Sequence, residues 1–184
     1  FTITPGNYKL IEQVAKEMEQ LQIDTFRIGH LNFLSQSDFD AHMRITGQLF
    51  GIERDVSWAG FISGESGIDA QYIADALERI KNMQNKNFKV TVFPKFSRDE
   101  IIRYYSKGSF QSDSFKNACL APWDIGVIGP QGELVTCPNY VVGNLRNHSF
   151  SDLWNNDRAR KFRKIIKEKK HLPACSRGCC FYYI

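Results

Sequence analysis

The chain has 184 residues, 42% of them hydrophobic and 13% aromatic, with a formal net charge of +4. That length and balance suit one substantial core, or one domain with a small appendage. No apolar run is long enough for a membrane span and no signal peptide is visible, so a cytoplasmic protein is expected. The sequence starts at Phe1 inside a strand-like run, which reads as a piece cut from a longer chain.

Phe1-Thr2-Ile3-Thr4 is short and β-prone. Thr4-Pro5 has the form of a helix start, with Thr as N-cap and Pro in the first turn. Leu10, Ile11, Val14, Ala15, Met18 and Leu21 then fall on one helical stripe, a core face. Thr25 to Phe33 reads as the next strand, giving a βαβ unit with parallel pairing and a right-handed crossover. Ser37 to Phe50 is helical, with Gly51 as its stop. Trp58 to Phe61 is apolar and irregular. A third helix runs from about Asp69 through Met83 and is ended by Asn85 to Asn87. Phe88 to Phe93 alternates cleanly as a strand, closed by Pro94. Ser97-Arg98-Asp99-Glu100 is a capping box opening a short helix to Tyr105. Ser106 to Ser114 is polar and rich in Gly and Ser, which reads as a linker or mobile loop and a domain boundary. Alternating strands and helices up to that point imply an α/β fold with a parallel sheet.

The last third carries all five cysteines. Asp124 to Ile128 and Glu133 to Thr136 are strand-like runs around Gly129-Pro130-Gln131-Gly132, where Pro and Gly favour a tight turn. Such a hairpin brings Cys119, before its first strand, towards Cys137, after its second. Ser149-x-x-Asp152 then caps a helix whose buried stripe is Leu153, Ala159, Phe162, Ile165 and Ile166, with Trp154 as a packing anchor. That helix carries the chain back to Cys175, Cys179 and Cys180. Clustered cysteines without a secretory signal favour a metal over disulfides. Four thiolates suit zinc or an iron–sulfur cluster, and the spacing does not choose between them. Adjacent Cys179 and Cys180 point in different directions in most backbones, so one of them, not both, is expected to join Cys175.

The cysteine layout reads C-x17-C with Gly132 five residues before Cys137, then a gap, then a compact group. Around it stand Ala121-Pro122-Trp123, Ile128-Gly129-Pro130-Gln131-Gly132, Val142-Gly143-Asn144-Leu145 and Asp152-Leu153-Trp154-Asn155. As a set this resembles the Twitch form of the SPASM region, the C-terminal module of many radical S-adenosylmethionine enzymes. The closing C-x3-C-C departs from the C-x2-C usual in that family. The resemblance implies an auxiliary [4Fe–4S] cluster on Cys119, Cys137, Cys175 and Cys179, with Cys180 as the alternative to Cys179. Zinc remains the alternative metal.

The resemblance further implies that residues 1–108 are the last strands and helices of a radical S-adenosylmethionine partial (β/α) barrel. Residues 109–184 are then the small Twitch-like module of β-hairpin and helix. In that family a reduced cluster cleaves S-adenosylmethionine to a radical that abstracts hydrogen from a peptide or small-molecule substrate, with an electron donor as partner. The C-x3-C-x2-C motif that binds that first cluster is absent, since no cysteine precedes Cys119. The fragment alone is therefore expected to be inactive.

His30 and Asn32 lie near the C-terminal end of a predicted parallel strand, where barrel sites lie, and Arg27 is on the same strand. They read either as contacts to S-adenosylmethionine or substrate, or as hydrogen-bonded core residues. His42, His148 and His171 read as surface or helix-end residues without a role. The basic run from Arg158 to Lys170 reads as a solvated helix face, so nucleic acid is not expected. The competing reading is a structural zinc module on an α/β domain that meets a partner or nucleic acid through that helix. No nucleophile motif, phosphate loop or nucleotide fingerprint is present.

Overall fold

The computed structural model describes residues 1–52, 56–83, 87–114, 118–138 and 140–179. In chain order the first half holds α1 (Ile11–Met18), β1 (Thr25–Gly29), α2 (Gln36–Phe50), α3 (Val56–Ala59), α4 (Ala70–Lys81), β2 (Lys89–Phe93) and α5 (Arg98–Tyr105). The second half holds α6 (Ala121–Asp124), β3 (Val127–Ile128), β4 (Glu133–Cys137), β5 (Tyr140–Asn144), α7 (Phe150–Trp154), α8 (Asp157–Lys169) and α9 (Cys175–Gly178). The fold is mixed α/β.

β1 and β2 pair in parallel, from Thr25 opposite Lys89 to Gly29 opposite Phe93. The N-terminal run joins them as a single parallel bridge, Thr2 to Gly29, with the Ile3 amide donating to Gly29 at 2.9 Å. Side chains alternate along a strand. Phe26 and Ile28 therefore face the helices and are buried, while Arg27 between them is exposed. Ile11 and Ala15 of α1 and Ile73, Leu77 and Ile80 of α4 cover that face, with Ile3 at its edge. Burying one such aliphatic side chain is worth roughly 1.5–3 kcal/mol.

The predicted start at Thr4 is not a helix cap. The Thr4 carbonyl instead accepts from the Asn7 and Tyr8 amides, and the Asn7 side chain accepts from the Thr4 amide. Asn7 thus builds a turn with its own side chain, as Asn readily does, and a 3₁₀ turn, Tyr8–Leu10, precedes α1. Leu10 and Leu21, expected on the core stripe, are 50% and 53% exposed because α1 spans neither. The other boundaries follow local chemistry. Gly51 closes α2 in the left-handed region at φ 68°, and Asp69 caps α4 by accepting from the Tyr72 amide at 3.0 Å. α4 ends at Lys81; of the expected stop, Asn85 lies outside the described residues. Trp58, expected in irregular chain, sits on the one-turn helix α3.

Ser97 and Glu100 form the expected capping box of α5. Glu100 does more than cap. It is 1% exposed and accepts from the hydroxyl of Ser112 at 2.5 Å and from the hydroxyl and amide of Ser114 at 2.6 and 2.9 Å. Burial opposes its charge, but these hydrogen bonds outweigh it and hold the carboxyl at about 2. Phe110 is buried in the first core. The stretch 106–114, expected as a linker or mobile loop, is therefore anchored at its described positions; its polar composition reflects the buried carboxylate it serves.

The second sheet is antiparallel, in the order β3-β4-β5. Val127 lies opposite Val135 and Ile128 opposite Leu134, while β4 meets β5 with register shifts after Leu134 and after Val135. Asp124, expected in a strand, ends the short helix α6, and β5 is an element the sequence pattern did not announce. Gly132 takes φ 91° in the turn, a region glycine enters at no steric cost. The expected single helix after Ser149 is two. Ser149 caps α7 through the Asp152 amide, and Asn156 caps α8 through the Ala159 amide. Gly143 has no room for a side chain: a Cβ there would come within 2.3 Å of Leu153, so α7 rests directly on β5.

Leu134, Tyr140, Val142, Leu153, Ala159, Phe162 and Ile166 form the second core, joined by Leu34 and Trp58 from the first half. Within it the rings of Tyr140 and Phe162 stack at 4.3 Å. Arg163 departs from the solvated basic run. It is 9% exposed, donates to the Pro122 carbonyl at 2.8 Å and to the Asn155 side chain at 2.9 Å, and lies over the Trp154 ring. Among the described residues no helix is long and apolar enough to cross a membrane.

Candidate metal centre

Three separate stretches bring cysteines to the second core. Cys119 precedes α6, its amide donating to the Lys170 carbonyl at 2.8 Å, which ties it to the end of α8. Lys170 itself sits at φ 67°, a position that turns the chain out of α8. Cys137 ends β4, and Cys175 opens α9 with Cys179 just beyond it. Cys119, Cys175 and Cys179 are buried in the second core and Cys137 packs against it half-buried. No disulfide joins any two of the four. Cys180 lies outside the described residues.

Neighbouring thiols act on one another. Cys119 interacts with Cys179, Cys179 hydrogen-bonds Cys175, and Cys175 interacts with Cys137. Among the described residues no three Cys, His, Asp or Glu side chains already stand as a ready-made metal-holding group. Burial pushes the Cys119 thiol up to about 11, with Cys179 adding to the rise. The hydrogen bond with Cys179, then burial and the neighbouring Cys179 and Cys137 thiols, push Cys175 well above the usual thiol range. Buried neighbouring thiols stay protonated and meet as neutral pairs; a cation among them reverses that balance by stabilising the thiolates. Backbone donors are already aimed at two of the sulfurs. The Leu172 amide donates to Cys175 Sγ at 3.3 Å, and the Ala121 amide hydrogen-bonds Cys119. The donor set fits a cluster or a metal that binds thiolate sulfur.

Two further residues meet the cysteine tail. His42, expected at a helix surface, is 3% exposed; it packs against Trp58, and its Nδ1 accepts from the Ala174 amide at 3.4 Å. The helical face of α2 that carries it turns towards the second core, which the short apolar stripe of that helix did not disclose. Arg177, inside the closing cysteine group, is 2% exposed. Its only sequence signal was being the one charged residue between Cys175 and Cys180. His148 is exposed and His171 half-buried.

The three residues proposed from the strand end separate. His30 is 5% exposed among the rings of Phe96, Tyr104 and Tyr105, and its Nδ1 lies 2.8 Å from the Tyr105 hydroxyl. That hydroxyl accepts from the Leu31 amide, so its proton goes to Nδ1 of a neutral imidazole. Burial lowers the His30 pKa to about 3. Arg27 is exposed on the strand face away from the helices, and Asn32 is half-buried.

An α/β chain whose last third gathers thiols beside an antiparallel sheet offers the donor type that thiolate-liganded metal and cluster proteins use. Residues 119–180 match the family model described as SPASM, an iron–sulfur cluster-binding domain. The resemblance of that stretch to the C-terminal module of radical S-adenosylmethionine enzymes, read from the sequence, agrees with this match. Over 63 residues the chain is 30% identical to an S-adenosyl-L-methionine-dependent 2-deoxy-scyllo-inosamine dehydrogenase of Niallia circulans, a match covering 32% of this chain. The chain spans 25% of the length of that curated relative. Among solved structures, the crystal structure of selenomethionine BtrN in an open conformation aligns over 96% of this chain and 79% of its own, at 16% identity and a TM-score of 0.30.

Proposed function

We propose that this chain is the C-terminal portion of a radical S-adenosylmethionine enzyme, an oxidoreductase in which Cys119, Cys137, Cys175 and Cys179 hold an auxiliary [4Fe–4S] cluster. Residues 1–108 are then the closing strands and helices of a partial barrel, and residues 109–184 the Twitch-like module. The observation that carries the reading is the convergence of four cysteines, from three stretches of chain, on one core, all of them inside the stretch that matches the iron–sulfur domain. The relative named as S-adenosylmethionine-dependent supports that cofactor for the intact protein.

When bound, such a cluster supplies one-electron chemistry at a potential set by its ligands and surroundings. The chain's own residues do the rest. Four thiolates close the cluster, which suits electron transfer or a structural role over substrate binding. Apolar neighbours such as Phe162, Ile166 and Leu172 exclude water from the sulfurs, and the Leu172 and Ala121 amides orient them. Arg27, open on the strand face away from the helices, meets S-adenosylmethionine or substrate; Asn32 lies beside it along the chain, and buried His30 fixes the strand end.

Anaerobic reconstitution with iron and sulfide tests the reading. A thiolate-to-iron absorbance band, lost in Cys119→Ala and in Cys137→Ala, supports it. Stoichiometric zinc in protein purified from cells, with no cluster assembling on reconstitution, overturns it in favour of a structural zinc module.

A further inference from the structure

Arg177 is the most heavily bonded side chain of the cysteine tail. Its Nε donates to the Tyr104 carbonyl at 2.8 Å, one terminal nitrogen donates to Gly108, and the other donates to Arg103 at 3.1 Å and Ser106 at 3.0 Å. The guanidinium also lies over the rings of Phe33 and Phe110, at 5.1 and 5.6 Å. Arg103 and Tyr104 belong to the last turn of α5, whose carbonyls have no partner within the helix. A cation is favoured at that end, and the planar fork of arginine reaches several carbonyls that a lysine would not. The backbone of the same residue is tied as well. Its carbonyl accepts from the Phe33 amide at 3.3 Å and lies 2.9 Å from the Tyr104 hydroxyl.

Arg177 stands two residues from each of Cys175 and Cys179, on the one-turn helix α9. A buried guanidinium stripped of water is tolerated only when its donors are satisfied. Its position therefore depends on the cysteine loop, and the carbonyls of residues 103–108 depend on it. The same contacts shape a cavity of about 550 Å³ whose walls include Phe33, Tyr105, Lys107, Gly108 and Arg177.

We infer that Arg177 is a positioning residue that couples cluster loading to the order of residues 103–110, so that assembling the cluster on the tail also fixes the end of α5 and the cavity beside it. The inference rests on the cluster reading above. α9 is a single turn and has little stability of its own. With the cysteines ligated, the loop and its arginine are held; with the thiols free, the clamp on α5 loosens.

Hydrogen exchange on the full chain, before and after anaerobic loading with iron and sulfide, tests it. The amides from Arg103 to Phe110 are expected to exchange about tenfold or more slowly in the loaded protein. Arg177→Met is expected to load a cluster yet lose that protection. Arg177→Lys, which keeps the charge and not the fork, is expected to recover only part of it. Cys175→Ser, which leaves Arg177 intact, is expected to show the unloaded exchange pattern whatever iron is added. Loading that leaves exchange at 103–110 unchanged, or equal protection in Arg177→Met, overturns the coupling and leaves the cluster reading standing. If Arg177→Met does not fold, Arg177→Lys and Cys175→Ser decide the matter by the same readout. No loading of the wild-type chain overturns both.

Discussion

The two cores of this molecule are filled with different chemistry. The first packs Ile3, Ile11, Ile28, Ile73 and Ile80 between a parallel sheet and two helices, with no cysteine among its buried residues. The second packs comparable aliphatic and aromatic groups but sets three buried thiols among them. The first core needs only the removal of apolar surface from water. The second contains thiols, and burial and neighbouring thiols push Cys119 and Cys175 above the ordinary range. A core of the first kind is stable by itself. A core of the second kind would couple its order to any metal that its thiolates took.

Serine substitutions at the cysteines break that comparison most severely. Cys175→Ser and Cys119→Ser are expected to lower bound iron about tenfold or more and to unfold the second region first, as read by iron analysis and by fluorescence of Trp123 and Trp154 against denaturant. Ile80→Ala, fully buried in the first core, is expected to cost about 2–5 kcal/mol of stability in denaturant titration without removing thiol ligands.

Glu100→Gln is expected to cost about 1–3 kcal/mol, because the buried serine and amide donors lose a charged acceptor. It also carries a pH signature. The folded carboxyl sits at about 2 against an ordinary 4.5, so its stabilisation is complete above 4.5 and is lost as the pH falls towards 2. The variant is expected to lack that loss. His30 acts in an earlier window. Its pKa is lowered from 6.5 to about 3, so the unfolded chain binds a proton that the folded one refuses, and stability falls as the pH drops below 6.5. His30→Phe is expected to flatten thermal stability between pH 6.5 and 4.5, a range in which Glu100 is still largely charged. The smallest effect belongs to exposed charges on α8: Arg160→Ala or Lys164→Ala is expected to change stability by under about 0.5 kcal/mol.

Local chemistry was legible wherever a residue answers to its immediate neighbours. The Ser97–Glu100 box, the Ser149 cap and the Gly51 stop depend on hydrogen bonds within one turn, and each appears where the sequence put it. The cysteine stretch was legible because several short motifs fell at consistent spacing. What depended on distant partners was not. Arg163 reads as one more cation in a basic helix until Pro122 and Asn155 come to meet it. His42 reads as a surface residue until the tail brings Ala174 to its ring. Ser112 and Ser114 read as linker until Glu100 is seen to need them. β5 was missed because Tyr140 to Asn144 alternates over too few residues to announce a strand, and its pairing with β4 is irregular.

The contact at Gly143 sets a tolerance on this module. With a hydrogen in place of a side chain, the backbone of β5 becomes a seat for the methyls of Leu153, and the separation of sheet from α7 is fixed by a single missing carbon. α7 leads directly into α8, and α8 delivers both Lys170 to the Cys119 amide and the chain to Cys175, so an alanine there obliges Leu153, at the root of that arm, to shift. The spacing behind the cysteine stretch thus begins at a residue that is itself no cysteine.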